Sequence, residues 1–151
     1  MNKTISRRSV VGALCVASLG VTSFSQVAFA KNPIMTALEA QKEVKNKSAV
    51  LVDVRHPMEW KETGIAEGAV PISMHEGGFL AKLDKAIGGD KSKKIALICA
   101  TGARSAYIQK ELLKRGYGNV VSVAEGMVGG PNGKGWIPRG LPIKKINIDA
   151  K

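Results

Sequence analysis

Apolar positions along the chain follow two rhythms. Three runs are continuous and rich in β-branched residues: Ala49-Val-Leu-Val-Asp-Val54, Ile95-Ala-Leu-Ile98 and Asn119-Val-Val-Ser-Val123. Unbroken runs of this length read as strands buried on both faces. Ala69-Val-Pro-Ile72 reads as a further short strand, with Pro71 unfavourable inside a ladder. Between these runs the spacing turns helical. Thr36-Ala-Leu-Glu39 is a capping-box pattern, and Leu38, Gln41 and Val44 follow at helical spacing with Ile34 one turn earlier. This predicts a helix over 36–45, ended by Asn46-Lys47. Pro57 suits the first turn of a short helix and Gly64 its C-terminal cap. Phe79, Leu83 and Ile87 repeat every four residues before Gly88-Gly89 stops the helix. Ser105 to Arg115 is helical with Ile108 and Leu112 on one face. Lys114 and Arg115 suit its C-terminal dipole, and Gly116 suits its cap.

Strands alternating with helices predict an α/β fold with a mainly parallel sheet. Sites in such sheets form just beyond the carboxyl ends of the strands. The segment from Gly126 is rich in Gly and Pro and reads as a loop pinned by Trp136. No internal repeat or low-complexity segment interrupts the pattern.

The first 30 residues read as an export signal rather than as fold. Lys3, Arg7 and Arg8 form a basic start, Val10 to Leu19 is mostly apolar, and Ala28-Phe29-Ala30 is a small-x-small cleavage site. Ser6-Arg7-Arg8-Ser9-Val10-Val11 also fits a twin-arginine pattern, with two valines in place of the usual Phe-Leu, so both export routes stay open. Ser18, Thr22, Ser23, Ser25 and Gln26 make the stretch poorly apolar for a spanning helix, so no stable membrane insertion is expected after cleavage; a retained anchor is the alternative. Leu14 is too bulky before Cys15 for a lipoprotein signal. The expected mature chain is one domain, residues 31–151, in the periplasm or secreted.

Charge and cysteine count narrow the chemistry. Lys3, Arg7 and Arg8 account for three of the formal +11, so residues 31–151 carry +8. A basic domain attracts small anions or anionic surfaces. Nucleic acid is excluded as the expected partner: the basic residues are scattered, and only three Phe occur in the chain. Cys15 leaves with the signal, so Cys99 is the lone thiol of the mature domain, either buried and inert or kept for reactivity. A metal site is not expected. There is no cysteine cluster, and His56 and His75 lie far apart in sequence without ligand spacing.

Cys99 ends the run Ile95 to Ile98, and a helix pattern begins a few residues later. That places the thiol at the floor of a ring of helix N-terminal N–H groups, which favour an anion. Arg104 is a second expected source of thiolate stabilisation, and is read equally as a ligand of the substrate anion and as a brace of the loop. Gly102 allows positive φ and convergence of amides. Ala100, Thr101 and Ala103 are small, so substrate can approach. No histidine lies in the loop to act as a base, which makes the expected activation electrostatic.

The loop Cys99-Ala-Thr-Gly102-Ala-Arg104-Ser105 resembles the Cys-x-x-Gly-x-Arg-Ser persulfide loop of the single-domain rhodaneses, the thiosulfate sulfurtransferases. Leu51-Val-Asp53-Val-Arg55 with Glu59 and Trp60 resembles the family's Asp-Val-Arg-x-x-x-Glu-aromatic signature. Gly68-Ala69 with Pro71-Ile72, Glu125-Gly126-Met-x-Gly129 and Gly140-Leu141-Pro142 resemble its other markers. The resemblance runs from about 36 to 143. It departs from the family pattern at Ile65, where a histidine is frequent, and at Ala100, where an arginine is frequent. It implies a three-layer fold, a central mainly parallel sheet of about five strands with helices on both faces. It also implies sulfur transfer through a Cys99 persulfide cradled by the amides of residues 100–105. The implied partners are a small anionic donor such as thiosulfate and a thiophilic acceptor such as cyanide or a thiol, with no cofactor beyond the covalent persulfide.

Two alternatives remain open. One is a persulfide carrier or binding module that serves a protein partner, as yet unknown, without turnover. The other is a cysteine phosphatase or arsenate reductase on the same architecture. Those enzymes need five residues between Cys and Arg, and here there are four, a ring that suits one sulfur atom better than a tetrahedral oxyanion. Asp53 and Arg55 are read as supporting residues, with a structural ion pair favoured. His75 is read as a candidate for the pocket mouth, His56 as a surface residue, and Glu59 as bonded to backbone. The Thr101 and Ser105 hydroxyls are read as helix caps in preference to persulfide ligands.

Overall fold

In a computed structural model of the protein, residues 32–147 are described. The export-signal reading of residues 1–30 lies outside them. The elements in order are β1 (Ile34–Met35), α1 (Ala37–Lys45), β2 (Val50–Asp53), α2 (Pro57–Thr63), β3 (Ile65–Ala66) and β4 (Val70–Pro71). They continue with α3 (Phe79–Ile87), β5 (Ile95–Ile98), α4 (Ala103–Lys114), β6 (Val120–Val123) and β7 (Ile143–Lys144).

The three unbroken apolar runs become the middle of a parallel five-stranded sheet in the order β1-β6-β5-β2-β4. Val50 lies opposite Ile95 and Asp53 opposite Ile98, so β2 and β5 end level with each other. Pro71 falls on the edge strand β4, where a missing N–H is tolerated. Alternate side chains feed two cores. Leu51, Ala96, Ile98, Val121 and Val123 pack with Ala37 and Ala40 of α1 and with Trp136. Val52, Ile95, Leu97, Cys99 and Val120 pack with Leu83 and Ile87 of α3 and Leu112 of α4. Each fully buried Leu or Ile contributes about 1.5–3 kcal/mol. The result is the three-layer α/β architecture with helices on both faces.

Three local features depart from the sequence expectations. The buried face of α1 is Ala37 and Ala40, not Leu38, which is exposed, and Ile34 sits in the edge strand β1 rather than on the helix. The small alanines let the helix lie close to the sheet, which a Leu face would hold away. Helix α4 starts at Ala103, two residues earlier than expected, because Gly102 adopts φ +97 as its N-cap. The C-terminal segment is not all loop: β7 pairs antiparallel with β3, Ile65 opposite Lys144. Trp136 is fully buried and its Nε1 donates to Pro142 O at 2.8 Å, pinning that segment to the body. No helix among the described residues is long and apolar enough to cross a membrane.

Candidate active site

Strand β5 delivers Cys99 to the carboxyl end of the sheet with its side chain toward α3 and α4. It is a free thiol, 1% exposed. The chain then turns tightly. The Gly102 amide donates to Cys99 Sγ at 3.2 Å, and α4 begins at the next residue with no side-chain cap on its first turn. The leading N–H groups of α4, the positive end of its dipole, are therefore left for another acceptor. Ala100 is half-buried while Thr101 and Ala103 are exposed, so the rim of the loop faces solvent.

The loop is held from behind by the segment after β6. Met127 N donates to Cys99 O at 2.8 Å and Val128 N to Ala100 O at 2.9 Å. Two glycines let these backbones touch. A Cβ on Gly102 would stand 2.1 Å from Ala124 O, and one on Gly126 (φ +65) would stand 2.2 Å from Ala100 O. Gly126 is thus part of the loop's mould although it lies far along the chain. Glu125 beside it is buried and accepts from Ala37 N at 3.0 Å and from Arg139 Nε at 2.8 Å. Arg139 holds its carboxyl below the usual range.

The expected hydroxyl caps are not made. Thr101 stands exposed beside Gly130. Ser105 is fully buried and turns inward: its Oγ donates to Gly102 O at 2.9 Å, lies 2.8 Å from Ser122 Oγ on β6, and lies 3.6 Å from Cys99 Sγ. A glycine N-cap with left-handed backbone leaves no side chain in capping position, which is why the cap is absent.

Arg104 is engaged. Its Nη1 and Nη2 each donate at 2.7 Å to Glu59 Oε2 and Oε1. Glu59 also accepts from His56 N at 3.0 Å. The Arg104 hydrogen bonds are the main cause that holds the Glu59 carboxyl down to about 2. The Glu59 hydrogen bonds in turn raise Arg104. The expected positive charge near the thiol is present but paired with a carboxylate, and the donor that reaches Sγ is the Gly102 amide.

Asp53 and Arg55 form a buried ion pair, as favoured from sequence. Arg55 Nε reaches both Asp53 oxygens at 3.0 and 3.1 Å, and Nη2 reaches Oδ2 at 2.8 Å. Arg55 also donates to Thr63 Oγ1 at 2.9 Å and Gly64 O at 2.7 Å. The cluster ties the end of β2 to the end of α2, and so sets the helix that carries Glu59. His56 is exposed yet has a task, since its Nδ1 accepts from Met58 N at 3.2 Å and caps α2. His75 is exposed after β4. The two histidines, far apart in sequence, are neighbours in space with ring centroids 5.8 Å apart, because β2 and β4 are adjacent strands. Among the described residues no group of three or more His, Cys, Asp or Glu gathers as a metal set would.

The rhodanese-like domain family model matches residues 36–130, which span the sheet from α1 to the loop-backing segment. This chain belongs to the rhodanese-like domain family. A sulfurtransferase of Allochromatium vinosum is 28% identical over 112 residues, covering 74% of this chain and 94% of the relative. Among solved structures, the polysulfide-sulfur transferase homodimer of Wolinella succinogenes superposes with TM-score 0.61 at 27% identity, covering 80% of this chain and 83% of that one. A protein of M. tuberculosis superposes with TM-score 0.60 at 25% identity, covering 77% and 98%. The rhodanese-like domain thus has sulfurtransferases among its relatives.

Glu59, Ser122 and Gly126 were not among the sequence-derived site residues. Glu59 carried a signal in its place three residues after the N-cap of a helix starting at a strand end. Ser122 is the one polar residue in its strand. For Gly126 the signal was its place within Glu125-Gly126-Met-x-Gly129, without an assigned role.

Proposed function

We propose that this rhodanese-like domain is a sulfurtransferase that moves a sulfane sulfur from an anionic donor of the thiosulfate type to a thiophilic acceptor through a persulfide on Cys99. The observation that supports it is the position of Cys99 Sγ, bonded by the Gly102 amide beneath the uncapped first turn of α4. In the first half-reaction the Cys99 thiolate attacks the outer sulfur of thiosulfate. The Sγ–S bond forms, the S–S bond of thiosulfate breaks, and sulfite leaves with the electron pair. In the second, cyanide or a thiolate attacks the outer sulfur. The Sγ–S bond breaks and Cys99 leaves as thiolate, with thiocyanate or a new persulfide released.

Charge sits at or next to Sγ in both halves, and the ring of residues 100–105 with the α4 dipole stabilises it. No separate cofactor is invoked. Residues 1–30 serve in this reading as a cleaved export signal, so the domain acts in the periplasm or outside the cell. Turnover of thiosulfate and cyanide by residues 31–151 is the test. Thiocyanate well above a Cys99→Ala control is expected. Sulfur loading without turnover would make the protein a persulfide carrier, and the absence of both loading and turnover would overturn the reading.

A further inference from the structure

Ser122 is buried, 1% exposed, on the face of β6 that packs against α4. A buried hydroxyl in an apolar strand costs stability unless it is hydrogen-bonded. Its neighbour is Ser105 Oγ at 2.8 Å, and Ser105 Oγ in turn lies 3.6 Å from Cys99 Sγ. Proton bookkeeping decides the direction of these bonds. A serine hydroxyl has one proton. That of Ser105 lies on Gly102 O at 2.9 Å, so the contact with Ser122 uses the Ser122 proton. In the thiol form Sγ–H donates to Ser105, which then accepts two bonds and gives one.

When Cys99 gives its proton to bulk water, this arrangement has to change. The thiolate has no proton to give, and the Ser105 hydroxyl is the adjacent side-chain donor. Ser105 is free to turn, because Gly102 O keeps a second bond from Ala106 N at 3.1 Å. Ser122 continues to donate to Ser105 and so keeps the Ser105 oxygen satisfied and the Ser105 O–H polarised.

We infer that Ser122 is a positioning residue: its hydroxyl holds Ser105 so that the Ser105 proton can switch from Gly102 O to Cys99 Sγ whenever the sulfur is a thiolate. In the catalytic cycle that occurs at the start, when Cys99 attacks, and at the end, when it leaves. Once the persulfide forms, Sγ is neutral and Ser105 returns to Gly102 O. The inference rests on the reading of Cys99 as the nucleophile, and Ser122 acts only through Ser105.

The test is alkylation of Cys99 by iodoacetamide across a pH series, in the parent, Ser122→Ala, Ser105→Ala and the double variant, with thermal unfolding of each recorded. Alkylation requires thiolate but no sulfur donor, so it reads the relay even if sulfur transfer itself is absent. Ser122→Ala is expected to alkylate roughly threefold to tenfold more slowly at neutral pH, the worth of one hydrogen bond. The deficit should fade as rising pH ionises the thiol in all variants, and it should vanish in the Ser105→Ala background. A parent-like rate in Ser122→Ala overturns the inference. So does a deficit that is the same at every pH, or one that persists in full without Ser105. Either of these would leave Ser122 a packing residue, whatever its effect on unfolding.

Discussion

Arg104 and Glu59 meet as a two-pronged pair, Nη1 to Oε2 and Nη2 to Oε1, each at 2.7 Å. The pair joins the first turns of α4 and α2, helices that start at the level carboxyl ends of the neighbouring strands β5 and β2. Of the two roles open to Arg104 from sequence, anion ligand and brace, these bonds make the brace, between the two loops that frame Cys99.

Breaking this brace costs modest stability but more activity. Glu59→Gln is expected to lower unfolding free energy by about 1 kcal/mol, as the pair is 29–30% exposed. Arg104→Lys keeps the charge but not the two-pronged geometry. Both variants should lose about tenfold in kcat/KM for sulfur transfer, measured with thiosulfate and cyanide. Full activity in Arg104→Lys would mean that only the charge matters.

Acid should find the same pair. Arg104, helped by His56 N–H, holds Glu59 down to about 2 from an ordinary 4.5. The folded value lies below the unfolded one. The contribution to stability is therefore complete above about pH 4.5 and is lost as pH falls toward 2. Urea unfolding at pH steps across that window should show a shallower acid decline in Glu59→Gln than in the parent. Parallel curves would contradict the assignment.

Two glycines with positive φ should respond differently to the same change. Gly102→Ala drives a Cβ to 2.1 Å from Ala124 O, whereas nothing lies within 4 Å of a Cβ on Gly116 (φ +85). Strain alone costs about 1–2 kcal/mol, and overpacking adds about 1–3 kcal/mol. Gly102→Ala should therefore unfold at clearly lower denaturant than Gly116→Ala and lose sulfur transfer. Equal midpoints would show that the backbone around the loop yields.

Arg55 has the largest expected stability effect. Arg55→Ala strands the fully buried Asp53 carboxylate, which costs about 3–5 kcal/mol. The loss should exceed that of Glu59→Gln in parallel denaturant titrations. An effect within about 1 kcal/mol would show that Asp53 takes up its proton or finds water instead.

What was legible in the sequence was whatever repeated or stood in a short motif. Ile95 to Ile98 was recognisable because a strand buried on both faces has no polar position to interrupt it. Phe79, Leu83 and Ile87 marked α3 by their spacing, and Pro57 and Gly64 bracketed α2. The loop from Cys99 to Ser105 was legible because its glycine, arginine and serine are contiguous. Contacts made by folding were not. The fork from Arg104 to Glu59, the hydroxyl chain from Ser105 to Ser122 and the approach of His56 to His75 join residues 45, 17 and 19 positions apart, respectively. Two-residue strands such as β3 and β7 are too short to show a period. The buried face of α1 is hard to read because its alanines give little hydrophobic signal while packing closest, whereas the conspicuous Leu38 is exposed.

Cys99 is the residue proposed to carry the transferred sulfur. Intact mass of residues 31–151 after incubation with thiosulfate tests it most directly. A gain of one sulfur atom is expected, removed by cyanide and absent in Cys99→Ala. No gain with thiosulfate, polysulfide or any other sulfane donor, or an equal gain in Cys99→Ala, would contradict it.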